Sequence, residues 1–209
     1  MKKIVFFTGF LLVIFSGLVY AKGNSSVSLF IDSNLIAPKM TFEEDFGLPS
    51  TQNNKTAMGI GTGYFYSINE MFRIGFDFSY MYDGSTTKIT DQDGEYEKVR
   101  FKTDMKTMTH FEYSFFATNY HNLFLTTGFG VDEIRLKSEP SNGEYNNKTK
   151  SRYIYSIGLG YGYVFDETID LFVKVSYFAS PNKNINFDGM IVQLKQNTVN
   201  LKLGIAYKL

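Results

Sequence analysis

The sequence predicts an all-β chain: one eight-stranded antiparallel up-and-down transmembrane β-barrel behind an N-terminal signal peptide. Three observations carry that prediction. Apolar residues alternate with small or charged ones in eight separate segments, the connections between segments alternate between short and long, and residues 1–21 have the make-up of an export signal.

The chain has 209 residues, with 21 Lys+Arg against 21 Asp+Glu, 15 Tyr, 21 Phe, 18 Gly, 4 Pro and no Cys. That length suits a single domain, and abundant aromatics with few prolines favour β structure. Balanced charge gives no electrostatic case for a nucleic-acid partner. Without Cys, neither a disulfide nor a lipid attached through Cys is available.

The opening "MKKIVFFTGFLLVIFSGLVYAKG" has basic Lys2 and Lys3, an apolar run from Ile4 to Tyr20, and Val19 and Ala21 before a cleavage point. It predicts removal of residues 1–21, leaving 22–209 as the barrel domain. The alternative is an uncleaved anchor, because the run approaches the roughly 17–25 residues that span a bilayer. No second run of that kind follows, so the strands must do any crossing.

The first alternating row is Val27, Leu29 and Ile31. The second is Met58, Ile60, Tyr64, Tyr66 and Ile68, and the third runs Phe72, Ile74, Phe76, Phe78, Tyr80 and Tyr82. Phe101, Met105, Phe111, Tyr113 and Phe115 form the fourth, and Leu123, Leu125, Phe129 and Val131 the fifth. The sixth extends from Tyr153 to Phe165 at every second position, and the seventh from Ile169 to Tyr177. Val199, Leu201, Leu203, Ile205, Tyr207 and Leu209 end the chain. Most rows reach the roughly 9–11 residues that a tilted strand needs to cross a bilayer.

"SINE" (67–70), "ATNYH" (117–121) and "FDET" (165–168) read as tight turns, whereas 36–55, 83–98, 137–150 and 180–196 read as long polar loops. Short turns at one end and long loops at the other are the arrangement of outer-membrane barrels. Between the apolar rows stand Gly59, Gly61, Gly63, Gly75, Gly128, Gly130, Gly158, Gly160 and Gly162, interspersed with Ser and charged residues. A soluble sandwich has little use for glycine at every second place, while a narrow barrel interior leaves little room for anything larger. The aromatic rows therefore face lipid, with Tyr64, Tyr66, Tyr80 and Tyr82 placed for interfacial girdles.

With these features the chain resembles the small outer-membrane β-barrel proteins of Gram-negative-type bacteria, the OmpX, OmpA-barrel and opacity-protein group. The resemblance covers essentially the whole mature chain, rests on pattern, and includes no catalytic motif. It implies a monomer in the cell outer membrane, in contact with outer-membrane lipids and dependent on a barrel-assembly machinery. In that family the last strand is an assembly signal with alternating apolar residues and usually a terminal aromatic. In "NTVNLKLGIAYKL", Leu201, Leu203, Ile205 and Tyr207 match, and Leu209 replaces the usual Phe or Trp.

Eight charges share the inward parity: Asp32, Asp77, Glu112 and Asp132 against Arg73, Arg152, Lys174 and Lys202. Equal numbers in a confined space suggest mutual neutralisation, an ion-pair network bracing a filled interior. The other reading is a narrow polar path. "HFEYS" puts His110, Glu112 and Ser114 on one strand face, but same-face neighbours lie about 6.6 Å apart, whereas a nucleophile and base need about 2.6–3.2 Å. No enzymatic activity is expected. "DQDGEYE" (91–97) lacks the spacing of a calcium loop, and Asp93-Gly94 reads as a hairpin tip. Neither metal nor cofactor is expected. The function expected is a structural or adhesin-like surface role, with loops meeting host or surface ligands; the alternative is a narrow porin-like channel.

Overall fold

The computed structural model describes residues 24–35, 39–42, 51–53, 57–82, 86–90, 96–139, 146–181, 183–187, 190–195 and 197–209. The signal segment 1–21 and the tip residues Asp91, Asp93 and Glu95 lie outside them.

All regular structure among the described residues is strand: β1 (Ser25–Asn34), β2 (Lys39–Phe42), β3 (Thr51–Asn53), β4 (Met58–Ser67), β5 (Phe72–Met81), β6 (Thr86–Thr90), β7 (Tyr96–Ala117), β8 (His121–Glu139), β9 (Asn146–Val164), β10 (Ile169–Ala179), β11 (Lys183–Phe187), β12 (Met190–Lys195) and β13 (Asn197–Lys208). Eight of them, β1, β4, β5, β7, β8, β9, β10 and β13, pair in chain order, and β13 returns antiparallel onto β1. That last pairing closes the wall, so over the span that the eight strands share each has a partner on both sides.

Closure is staggered. Partners followed from Thr198 run through Phe178, Ser156, Gly128, His110, Gly75, Phe65 and Ser26 and return to β13 at Lys208, ten residues further on. Such a stagger requires tilted strands, at roughly 35–45° to the barrel axis.

At one end the strands are joined by residues 68–71, 118–120 and 165–168, each organised by a polar side chain. Asn69 Oδ1 accepts the N–H groups of Met71 and Phe72, both at 2.9 Å. Asp166 Oδ1 accepts the N–H groups of Thr168 and Ile169, both at 2.7 Å, and the Thr168 hydroxyl at 2.9 Å. These donors, the Thr168 N–H foremost, hold the Asp166 carboxyl below the usual carboxylate range.

The opposite end differs from the long polar loops expected. β7 has 22 residues and β8 and β9 have 19 each, about twice what a bilayer crossing needs at roughly 9–11. Strand β6 pairs with the start of β7, so 83–98 is in part a hairpin, and β8 and β9 remain paired from Ser138 and Asn146 inward through much of 137–150. The segments 36–55 and 180–196 are also partly sheet, since β3 joins β6 while β2, β12 and β11 form a separate three-stranded sheet.

The fourth row also departs from the expected alternation. A register shift between Thr103 and Met105 places Phe101 and Thr103 opposite Leu136 and Ile134, whereas Met105 lies opposite Glu133. Phe101 thus shares a sheet face with buried Ile134 and not with Met105. One extra residue in a strand reverses the facing of everything beyond it.

Candidate functional site in the barrel lumen

The wall turns its apolar side outward. Leu29, Ile157, Leu159 and Ile205 are more than half exposed, and the tyrosines of β9 share that face, while Asp32, Asp77, Glu112, Asp132, Arg152, Lys174 and Lys202 are buried inside. Aromatic contacts gather near both strand ends. Tyr80 and Tyr82 meet edge-on at 5.4 Å, and at the turn end Phe72 packs on Tyr113 at 5.0 Å and His121 on Tyr163 at 5.6 Å. His121 Nδ1 lies 2.7 Å from the Tyr161 hydroxyl.

The lumen charges form tiers. Nearest the turns, Arg73 donates to Glu112 at 2.6 Å, and Lys174 approaches the other Glu112 oxygen at 3.5 Å. Next, Asp77 receives Lys202, and His110 Nε2 lies 2.7 Å from the same carboxylate. Above it Lys106 lies 2.6 Å from Asp32, whose other oxygen accepts from Asn200 Nδ2. Towards the far end Arg152 makes a two-bond fork with Asp132, both bonds 2.7 Å. Forked guanidinium–carboxylate pairs are among the strongest charge-assisted arrangements.

Topology divides these pairs into two kinds. Arg73–Glu112 and Asp132–Arg152 join neighbouring strands at directly opposed positions. By contrast Lys202 on β13 reaches Asp77 on β5, Lys106 on β7 reaches Asp32 on β1, and Lys174 on β10 reaches Glu112 on β7. Each of these three spans the lumen. Lys174 and Lys202 oppose each other in register, a like-charge pair that Glu112 and Asp77 relieve.

The inward face is not confined to the small and charged residues expected. Phe30, Phe65, Phe124, Met108, Ile154 and Phe178 are buried within it. Glycine makes room for the rings: Phe30 has Gly61 and Gly204 as its two register partners, Phe65 has Gly75, and Phe124 has Gly160. A Cβ added at Gly61 would stand 2.3 Å from Phe30, at Gly75 2.3 Å from Phe65, and at Gly160 2.1 Å from Phe124. The rings then cover the cations. Lys202 sits 4.0 Å from the Phe30 ring centre and Lys106 4.6 Å from that of Phe178, while Arg73 lies between Phe65 and Phe124 at 5.6 and 5.4 Å. These distances are within the roughly 6 Å of cation–π attraction.

A cavity of about 600 Å³ lies among the turns and extends into the lumen; its lining reaches Asp77 and Lys202 and includes none of Asp32, Lys106, Asp132 or Arg152. His110, Glu112 and Ser114 are all buried, but His110 engages Asp77 and Glu112 engages Arg73. Lys106 and Asn200 are two members of the network that reading the sequence missed. Both share the parity of Glu112 and Lys202, so extending the alternation along β7 and β13 finds them. Among the described residues no three His, Cys, Asp or Glu side chains cluster as a metal site.

No protein-family model matches the chain, and a comparison with curated proteins gives no match. Solved structures do match. The outer membrane protein OprG from Pseudomonas aeruginosa superimposes with a TM-score of 0.58 at 11% identity, covering 90% of this chain and 97% of that one. Neisserial surface protein A does so with 0.51 at 11% identity, covering 88% and 97%. The fold is that of the small outer-membrane β-barrels. Leu201, Leu203, Ile205, Tyr207 and Leu209 lie along the outward parity of the barrel's closing strand, and the Leu209 N–H donates to the Ser25 carbonyl at 2.9 Å.

Proposed function

We propose that the chain is an integral protein of the bacterial outer membrane, exported by its leader and inserted as a monomer by a barrel-assembly machinery that reads the last strand. Its lumen is a structural plug, and its extended strand ends and connections meet ligands at the cell surface without catalysis. Support for membrane residence comes from the outer wall, where large apolar side chains such as Leu29 and Ile157 are 69% and 62% exposed in a continuous band.

The observation that carries the plug is the set of three ion pairs spanning the lumen, Lys202–Asp77, Lys106–Asp32 and Lys174–Glu112. A conducting path has to pass between these partners, and separating buried opposite charges is costly. Single-channel recording in a planar bilayer tests this, using refolded residues 22–209 whose gel mobility shifts on boiling. Silence is the expected result. Discrete, reproducible current steps would replace the plug with the narrow-channel reading.

A further inference from the structure

Matched partner by partner, the lumen charges leave one cation over. Lys106 pairs with Asp32, Arg152 with Asp132, Lys202 with Asp77 and Arg73 with Glu112, one carboxylate to each. Lys174 is a fifth buried base. Its single carboxylate contact among the described residues is Glu112, at 3.5 Å, and Arg73 already holds that carboxylate at 2.6 Å. An ammonium group carries three donors, and the Glu112 contact engages at most one of them. His110, the remaining titratable group of the cluster, adds no negative charge in either protonation state. A buried charge short of a counter-ion is costly, so the surplus calls for an anion from outside the chain.

Lys174 stands where such an anion can reach it. It lines the cavity of about 600 Å³ among the turns, a volume within the roughly 300–1,000 Å³ of small-molecule sites. The lining ends at Asn69, Glu70 and Thr118, which are exposed, so a solute has access from the turn end. Inside, the buried Ser28 hydroxyl and the Arg73 Nε–H have no hydrogen-bond partner among the described residues; the acceptors Asp77 Oδ1 and Asn122 Oδ1 also have none. Arg73 and Lys174 both approach Glu112, and both lie within 6 Å of the Phe65 ring centre, at 5.6 and 5.8 Å. One small anion is therefore within reach of both cations.

We propose that this cavity binds a small organic monocarboxylate, its carboxylate at Lys174 and the Arg73 Nε–H and its apolar body against Phe30 and Phe172. A single surplus positive charge matches a monoanion, whereas a phosphate monoester brings nearly two negative charges. The phenylalanines in the lining favour an organic body over an inorganic ion. The Asp32–Lys106 and Asp132–Arg152 tiers lie outside the lining, so binding leaves the plug in place and carries no solute across.

Calorimetric titration of refolded residues 22–209 in detergent micelles, with benzoate and with benzamide, tests the site; empty micelles give the background. The two probes share a shape and differ in charge. Benzoate should bind about tenfold or more tightly than benzamide, and Lys174→Gln should erase that preference. A second variant leaves every charge in place. Gly162 lines the cavity, and a Cβ there has its nearest atom 3.8 Å away, so Gly162→Leu fills the space and should abolish benzoate binding. Gel mobility shifts on boiling verify each barrel. Equal affinity for benzoate and benzamide, benzoate binding that survives Gly162→Leu, or verified parent barrels that take up no benzoate overturns the proposal. So does displacement of benzoate by inorganic phosphate at equal concentration, which makes the cavity a site for any anion.

Discussion

Lys202 stands directly opposite Asp32 in the register of β1 and β13, yet its ammonium group contacts Asp77 on β5, and Asp32 is held instead by Lys106 from β7. The exchange turns what would be a tie between adjacent strands into two ties across the lumen. Adjacent strands already share a hydrogen-bond ladder, so a brace between separated walls adds stiffness that the ladder cannot.

Asp77→Asn leaves Lys202, 3% exposed, without its anion. Removing one partner of a buried pair costs about 3–5 kcal/mol. Urea unfolding in lipid vesicles should register that loss, and the double variant D77N/K202M should cost less than the sum of the single changes. Strict additivity would show that the two groups do not act as a pair.

Two glycines on β9 separate packing from backbone propensity. At Gly160 a Cβ would stand 2.1 Å from Phe124, while at Gly162 the nearest atom would be 3.8 Å away. Overpacking a filled interior costs about 1–3 kcal/mol. Gly160→Ala should lose that much, Gly162→Ala should be near neutral, and F124L/G160A should recover much of the loss. Equal effects at both glycines would remove the argument that glycine makes room for the ring.

The sequence discloses the barrel because period-two alternation depends only on which side of a strand each residue takes. It also disclosed the inward rings, in a form easily passed over. "LFI" (29–31), "YFY" (64–66), "LFL" (123–125) and "YFA" (177–179) are apolar runs that break the alternation, and in each the middle Phe is the buried one. Phe101 was misplaced for a local reason, since the bulge before Met105 is set by strand pairing and not by the residues around it. The partner of each lumen charge was beyond reach for a related reason. Parity places Lys202 inside, but the choice between Asp32 and Asp77 depends on barrel diameter and on the Phe30 ring beside its ammonium group.

Asp166 gives a prediction in pH. Its carboxyl is held below the usual range by the donors of its own turn, so it supports the fold in full above the unfolded carboxylate value near 3.8 and loses that support as pH falls through its lower native value. Asp166→Ala should therefore lower the urea midpoint at neutral pH. The gap from the parent protein should shrink below pH of about 3.9 as the parent's own carboxylate is protonated. A gap that stays constant from neutral to strongly acidic conditions would mean that the turn's geometry, and not the charge of Asp166, matters.

Leu203 and Lys202 are neighbours on β13, and their contrast tests what surrounds the wall. Lys202 is buried, whereas Leu203 is 47% exposed and lies between Ile31 and Val173 on the outward face. In water, a change at so exposed a site typically alters stability by no more than about 0.5 kcal/mol. In hydrocarbon the same position must desolvate any charge placed on it, at about 2–4 kcal/mol for Arg near the bilayer midplane. Leu203→Arg should thus destabilise the vesicle-inserted barrel by about 2–4 kcal/mol in urea titrations. In detergent micelles the penalty should shrink, because water and headgroups reach the guanidinium more easily. A variant as stable as the parent in vesicles would mean that water, not lipid, covers this face, and that the exposed apolar band has another occupant.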